Sequence, residues 1–183
     1  MKIVMIAGSN RAGATSTFLL RYIGRLLQGH QISVTCIELK ELELPLYSPD
    51  TEELNPNVQY VLEMVKSADG LILATPEYHG SISGVLKNAL DYMNASHVSG
   101  KPVLSVSSAG GPVGVSSLTH LQSIIRNLHG VNSPEWISIG AGSHGFDPDG
   151  VPLDAGMRER VEGAVEKLLD LTRMLTVDVM SLR

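Results

Sequence analysis

The apolar stretches of this chain are short, unbroken and regularly interrupted. Residues 3–7, Ile-Val-Met-Ile-Ala, contain no polar member. A run that is apolar at every position reads as a strand covered on both faces, the situation of a parallel sheet. Residues 33–38, 70–75 and 102–107 read as further strands, and residues 132–139 hold a fifth. Between them, apolar residues recur at helical spacing over 18–27, 58–67, 84–94, 118–128 and from 154 to about 175. Five strands alternating with five helices predict one α/β domain spanning 1–183, with helices on both faces of a parallel sheet.

Right-handed crossovers leave few topologies, and the expected strand order is 2-1-3-4-5, the flavodoxin-like three-layer arrangement. Ligands of such sheets bind beyond the carboxyl ends of the strands, where the order reverses. The loops after strands one, three and four are therefore the ones to inspect. The first is Gly8-Ser9-Asn10-Arg11-Ala12-Gly13-Ala14-Thr15-Ser16-Thr17. Asn10 breaks the Gly-x-Gly-x-x-Gly dinucleotide fingerprint. Ala14 stands where a nucleoside-triphosphate loop needs lysine. A small, hydroxyl-rich loop with one arginine at a helix N-terminus suits a terminal phosphate monoester such as that of FMN. An ordinary helix capped by Ser or Thr is the plainer reading.

Composition narrows the function classes. The net charge is −5 with scattered Lys and Arg, which speaks against a nucleic-acid surface. The apolar runs are too short to cross a bilayer, and no leader of secretory type is visible. Cys36 is the one cysteine, which excludes an internal disulfide and suits a reducing cytoplasm. It is expected in a buried strand. Residues 42–57 form a long irregular connection holding Leu42, Leu44, Leu46 and Tyr47 among prolines.

The loop after strand three reads Thr75-Pro76-Glu77-Tyr78-His79-Gly80-Ser81, and the loop after strand four Ser107-Ser108-Ala109-Gly110-Gly111. With Gly8-Ser9-x-Arg11, Leu44-Pro45-Leu46-Tyr47, and Gly84-x-Leu86-Lys87-Asn88-Ala89-x-Asp91, these segments resemble the NADPH-dependent FMN reductases of the flavodoxin-like superfamily. The resemblance covers most of the chain in the expected order, and the Pro-Glu-Tyr segment is its most specific part. It implies an enzyme that passes hydride from NADPH or NADH to FMN and then reduces a small-molecule acceptor in ping-pong fashion. Ser9, Arg11 and a hydroxyl from Thr15, Ser16 or Thr17 would hold the FMN phosphate, with Ser16 favoured. Pro76, Glu77, Tyr78, His79 and Gly80 would line the flavin ring. Ser108, Ala109, Gly110 and Gly111 would meet it from the other side. No side chain is expected to be catalytic in its own right, and no metal is implied. The family also implies a homodimer or homotetramer formed through residues 42–57 and 84–94. An electron-carrying flavodoxin and a non-catalytic FMN-binding module are the alternatives.

Other chemistry-bearing residues read more plainly. Lys87 and Asp91, four apart on a helix, are expected to form an exposed ion pair. Asp147-Pro148-Asp149-Gly150 is expected to be a turn, since Arg158 stands where a calcium loop needs its last acid. His30, His97, His120, His129 and His144 show no metal-ligand spacing and are expected to be solvated or to cap helices.

Overall fold

A computed structural model describes the backbone of residues 1–181 and the side chains of residues 1–176. The strands are β1 (Lys2–Ala7), β2 (Ser33–Glu38), β3 (Gly70–Pro76), β4 (Pro102–Ser108) and β5 (Val131–Ile139). The helices are α1 (Thr15–Gly29), α2 (Pro56–Ser67), α3 (Gly84–Asp91), α4 (Ala95–Val98), α5 (Val115–Asn127) and α6 (Ala155–Ser181). All strand pairs are parallel, in the order β2-β1-β3-β4-β5.

Alternation along the strands builds two cores. Ile3, Met5, Ile72, Leu104 and Ile137 face α1 and α6. Val4, Ile6, Leu71, Leu73 and Val103 face α2, α3, α4 and α5. Every residue of β3 and β4 is buried, as two covered faces require. β5 closes one edge. Its register against β4 shifts between Val103 and Ser105, and Pro134 lies in the shifted segment.

Three expectations change. The helix expected over 84–94 ends early, because α3 stops at Asp91, and a separate helix, α4, starts after its N-cap Asn94. There the Asn94 side chain accepts from Ser96 N–H (2.9 Å), while His97 Nδ1 accepts from Asn94 N–H (3.1 Å). This reciprocal pair starts a one-turn helix that an apolar pattern alone cannot mark. Most other helices run two to three residues beyond their apolar cores, because their first turns are polar. Finally, Cys36 is exposed rather than buried, since β2 is an edge strand. Its thiol is still pushed up to about 11, by desolvation first and the Glu38 carboxylate second, although much of the residue surface is open. The Lys87–Asp91 pair forms at 2.6 Å on α3, as expected.

At the opposite end of the sheet from the loops after β1, β3 and β4, half-buried Lys101 caps α2. Its Nζ donates to the carbonyls of Val65 (2.6 Å) and Lys66 (2.7 Å). Desolvation lowers its pKa from 10.5 to about 8, against a weaker opposing pull from Asp69. In that interval the unfolded chain holds the proton more tightly, so the Lys101 contribution to stability rises as pH rises. The raised Cys36 thiol acts in the opposite direction from about pH 9, so the two partly offset in the native protein. Comparing the native protein with Lys101→Met isolates the lysine. The stability deficit of Lys101→Met in urea unfolding is expected to be larger at about pH 9.5 than at about pH 7.5. A deficit that shrinks with pH would show that the helix-capping bonds keep the ammonium charged.

Candidate functional site

The loops after β1, β3, β4 and β5 converge at the carboxyl end of the sheet. At the end of β1, Gly8 N–H donates to Ala74 O at 2.7 Å. A Cβ at Gly8 would lie 2.7 Å from Ala74 O and 2.6 Å from Leu86 Cβ, so only glycine allows this approach. The Ser83 hydroxyl donates to Gly8 O. Ser83 N–H donates to Thr75 Oγ1 (3.0 Å), and Ser83 Oγ caps α3 by accepting from Leu86 N–H (3.2 Å). The first loop, the end of β3 and the start of α3 are thereby one buried polar unit.

The first loop turns at Gly13 (φ 66°) and enters α1 at Ala14. The Ser or Thr cap of the alternative reading is absent: Ala14 is the N-cap, and no side chain bonds to the helix start. The amides of Thr15 and Ser16 therefore have no intrahelical acceptor, and the positive end of the helix dipole is open. Ser9, 2% exposed, has its hydroxyl 3.1 Å from Arg11 N–H, which shapes the loop from beneath. Arg11 is exposed. Ser16 is completely buried, and its Oγ has no hydrogen-bond partner. Thr15 and Thr17 are part-exposed.

The loop after β3 is a tight turn. Tyr78 and Ser81 exchange two backbone hydrogen bonds (3.0 and 3.1 Å), with His79 (φ 52°) and Gly80 (φ 73°) both left-handed between them. This is the two-residue geometry that favours Asn-Gly. Ser81 Oγ is 2.9 Å from His120 Nδ1 on α5. Glu77 N–H donates to Ser108 O (2.7 Å), joining the loop to the end of β4. The Glu77 carboxylate accepts from Ser117 N–H (2.8 Å) in the first turn of α5, an acceptor at a helix N-terminus. That bond gives Glu77 a structural task and fixes its orientation. Beyond β4, Ala109 N–H donates to Ile139 O (2.9 Å), and Ala141 N–H to Gly111 O (2.7 Å). A Cβ on Gly110 or Gly111 would meet nothing within 4 Å. Their surface is open to an approaching ligand.

These loops enclose a cleft of about 270 Å³. It brings together Arg11, Thr15, Pro76, Glu77, Tyr78, Ser108, Ala109 and Gly110, eight of the residues the sequence singled out, with Ala14 and His144. Ser9, Ser16, Thr17, His79, Gly80 and Gly111 lie outside its lining, and the buried Ser16 hydroxyl is left without a partner. His144, which the sequence leaves as a solvated or capping histidine, joins the lining from the loop after β5. Its position beyond a strand's carboxyl end was the available signal. The cleft fits a flavin mononucleotide. One end has uncapped amides, a hydroxyl and a guanidinium for a phosphate. The other has proline, tyrosine and glycine backbone for a flat ring.

Comparison with known proteins shows the family of the chain. The sequence profile of the NADPH-dependent FMN reductase family matches residues 1–144. The FMN-dependent NADPH-azoreductase of Staphylococcus haemolyticus (strain JCSC1435) is 36% identical over 161 residues, covering 85% of this chain and 82% of the relative. That of Staphylococcus aureus (strain USA300) is 35% identical over 155 residues, covering 82% of each. Among solved structures, the flavoenzyme NAD(P)H:(acceptor) oxidoreductase FerB from Paracoccus denitrificans superposes with a TM-score of 0.81 at 21% identity, covering 94% of this chain and 97% of its own. An archaeal flavodoxin superposes with a TM-score of 0.66 at 14% identity, covering 93% of this chain and 99% of its own, which reflects the shared fold. The chain belongs to the NADPH-dependent FMN reductase family and is an FMN-dependent NAD(P)H oxidoreductase.

Proposed function

We propose that the cleft between Arg11 and Gly110 is the flavin site and that the enzyme reduces azo or quinone acceptors there. The observation that carries this reading is the convergence of eight motif residues on one cleft beside an uncapped helix N-terminus. The azoreductase relatives support the acceptor class. Bound FMN would supply the redox chemistry, taking hydride from NADPH or NADH and then reducing the acceptor in the same place, which makes the reaction ping-pong. Arg11 and the amides of Thr15 and Ser16 would hold the phosphate, with the Thr15 hydroxyl as a further donor. The paired turn at Tyr78–Ser81 and the open backbone at Gly110 and Gly111 would fix the ring. Glu77, committed to α5, keeps the two ring-facing loops in register.

The proposal extends to assembly and location. Leu46 is 85% and Tyr47 40% exposed, beside a cleft of about 640 Å³ lined by Leu42, Leu44, Leu46, Val85 and Asn88 among others. Asn88 on α3 fixes this segment, accepting from Tyr47 N–H (2.8 Å) and donating to Pro45 O (2.8 Å). An ordered apolar surface of this kind calls for a cover, and a second copy in a homodimer, or a homotetramer built from it, supplies one. The single cysteine supports a cytoplasmic location.

Purified protein is expected to carry or take up FMN and to oxidise one NADPH or NADH per flavin anaerobically, then to be reoxidised by an azo dye. Failure of NADPH and NADH to reduce the flavin, in a protein whose dithionite-reduced flavin still passes electrons to an acceptor, would indicate a carrier instead. Arg11→Ala is expected to weaken FMN by about 2 kcal/mol in calorimetric titration of the apoprotein, the scale of one charge-assisted bond, with unchanged thermal stability. Leu46→Glu is expected to turn a dimer into a monomer in sedimentation at micromolar concentration. A native protein already of monomer mass would refute the assembly.

A further inference from the structure

A second cleft of about 390 Å³ opens on the far side of Thr15. It lies between α1 and the loop over 141–153, and it shares Thr15 and His144 with the flavin cleft. Its walls include Gly13, Phe18, Phe146 and Asp147. Phe18 projects from the first turn of α1 and is 37% exposed. Its ring lies 5.8 Å from that of Phe146, tilted by 44°. The loop is fixed in place. Asp147 N–H donates to Val151 O (2.9 Å), Gly150 N–H to Asp147 O (2.9 Å), and Leu153 N–H to Gly145 O (3.0 Å). Asp147 Oδ1 accepts from Val151 N–H (2.8 Å), and Arg25 donates to Gly150 O (3.0 Å). The sequence marks this stretch only as a turn, yet its part-buried Phe146 and the exposed Phe18 of α1 form an aromatic pair beside the phosphate end of the proposed flavin site.

We propose that this cleft takes the adenylate half of a flavin dinucleotide, so that the enzyme accepts FAD as well as FMN. The inference rests on the proposed phosphate position at Arg11 and Thr15. In FAD the adenylate is joined through that same phosphate, so it must leave the flavin cleft at Thr15. The Phe18–Phe146 cleft begins there. The cleft of about 640 Å³ touches the first loop only at Asn10, and the opening at Arg11–Ala14 is smaller, about 140 Å³. Two cations on its walls are already paired, Arg21 with Glu38 (2.8 Å) and Lys40 with Glu41 (2.6 Å). Adenine stacks on aromatic faces without regard to sequence context, and two phenylalanines offer such faces. The Asp147 carboxylate can accept from ribose hydroxyls, as an acidic residue does in other dinucleotide sites. No lysine or arginine lines the cleft, which disfavours a ribose carrying the 2′-phosphate of NADPH.

Calorimetric titration of the apoprotein with FMN, FAD and NADPH tests this. FAD is expected to bind within about tenfold of FMN. Phe18→Ala and Phe146→Ala are each expected to weaken FAD by roughly fivefold to a hundredfold, the scale of one base–aromatic stack, and to leave FMN unchanged. The FMN titration of each variant also reports whether it has folded. FAD binding more than about a hundredfold weaker than FMN overturns the proposal. So does an equal loss of FMN and FAD in both variants, or a loss confined to NADPH. Failure of the native protein to bind FMN would instead remove the flavin-site reading, and this inference with it.

Discussion

At the carboxyl end of β1 the backbone of Gly8 lies directly against that of Ala74, close enough that no side chain fits between them and Leu86. Everything at this end of the sheet is referred to that contact. The Ser83 hydroxyl reads the position of Gly8 and passes it to the start of α3, while Thr75 ties the same residue to the end of β3. Buried hydrogen bonds of this kind have one low-energy arrangement, since any shift leaves a polar atom unsatisfied away from water. Loops are ordinarily the most mobile part of an α/β domain. Here the loops that must hold a ligand inherit the rigidity of the strands, which is what positioning a flat, multi-contact cofactor requires.

The division of labour in the cleft follows from this. Its side chains with the greatest chemical potential are mostly occupied in building it. Glu77 serves the N-terminus of α5, and Ser9 shapes its own loop. The rest of the lining is Arg11, Thr15, Tyr78, Ser108 and His144 with proline, alanine and glycine backbone. Such a composition is rich in groups that bind and orient. This matches a family in which the cofactor carries the reaction and the protein supplies placement and a local field.

Much of this was legible in the chain, for identifiable reasons. Unbroken apolar runs such as 3–7 and 70–75 announce strands buried on both faces, and the order of the sheet follows from crossover handedness. The pairing of Lys87 with Asp91 is a matter of helical spacing. What could not be read depends on packing between distant segments. Ser16 is favoured on paper over Thr15, and only the packing of α1 decides that Ser16 is fully buried while Thr15 stays part-exposed. Cys36 lies in an apolar-looking strand, but its exposure depends on β2 being an edge. The break at residues 92–94 arises from a local polar exchange between Asn94 and His97, which competes with a continuing apolar pattern. His144 reaches the cleft because the loop after β5 is tied to the loop after β4 by Ala141 N–H to Gly111 O, a contact between distant segments that strand order alone does not give.

The irregular strand β5 carries a consequence for how copies of this molecule can meet. An open sheet edge is a template on which a further strand, from the same or another chain, can add. At this edge the ladder slips beside Val103, and Pro134 contributes no amide hydrogen within the slipped segment. An incoming strand would find its donor row interrupted near the middle and its path bent away. Growth of the five-stranded sheet across β5 into a continuous intermolecular sheet is therefore disfavoured. Of the two edges, β2 keeps a regular register, so strand addition is blunted at β5 alone.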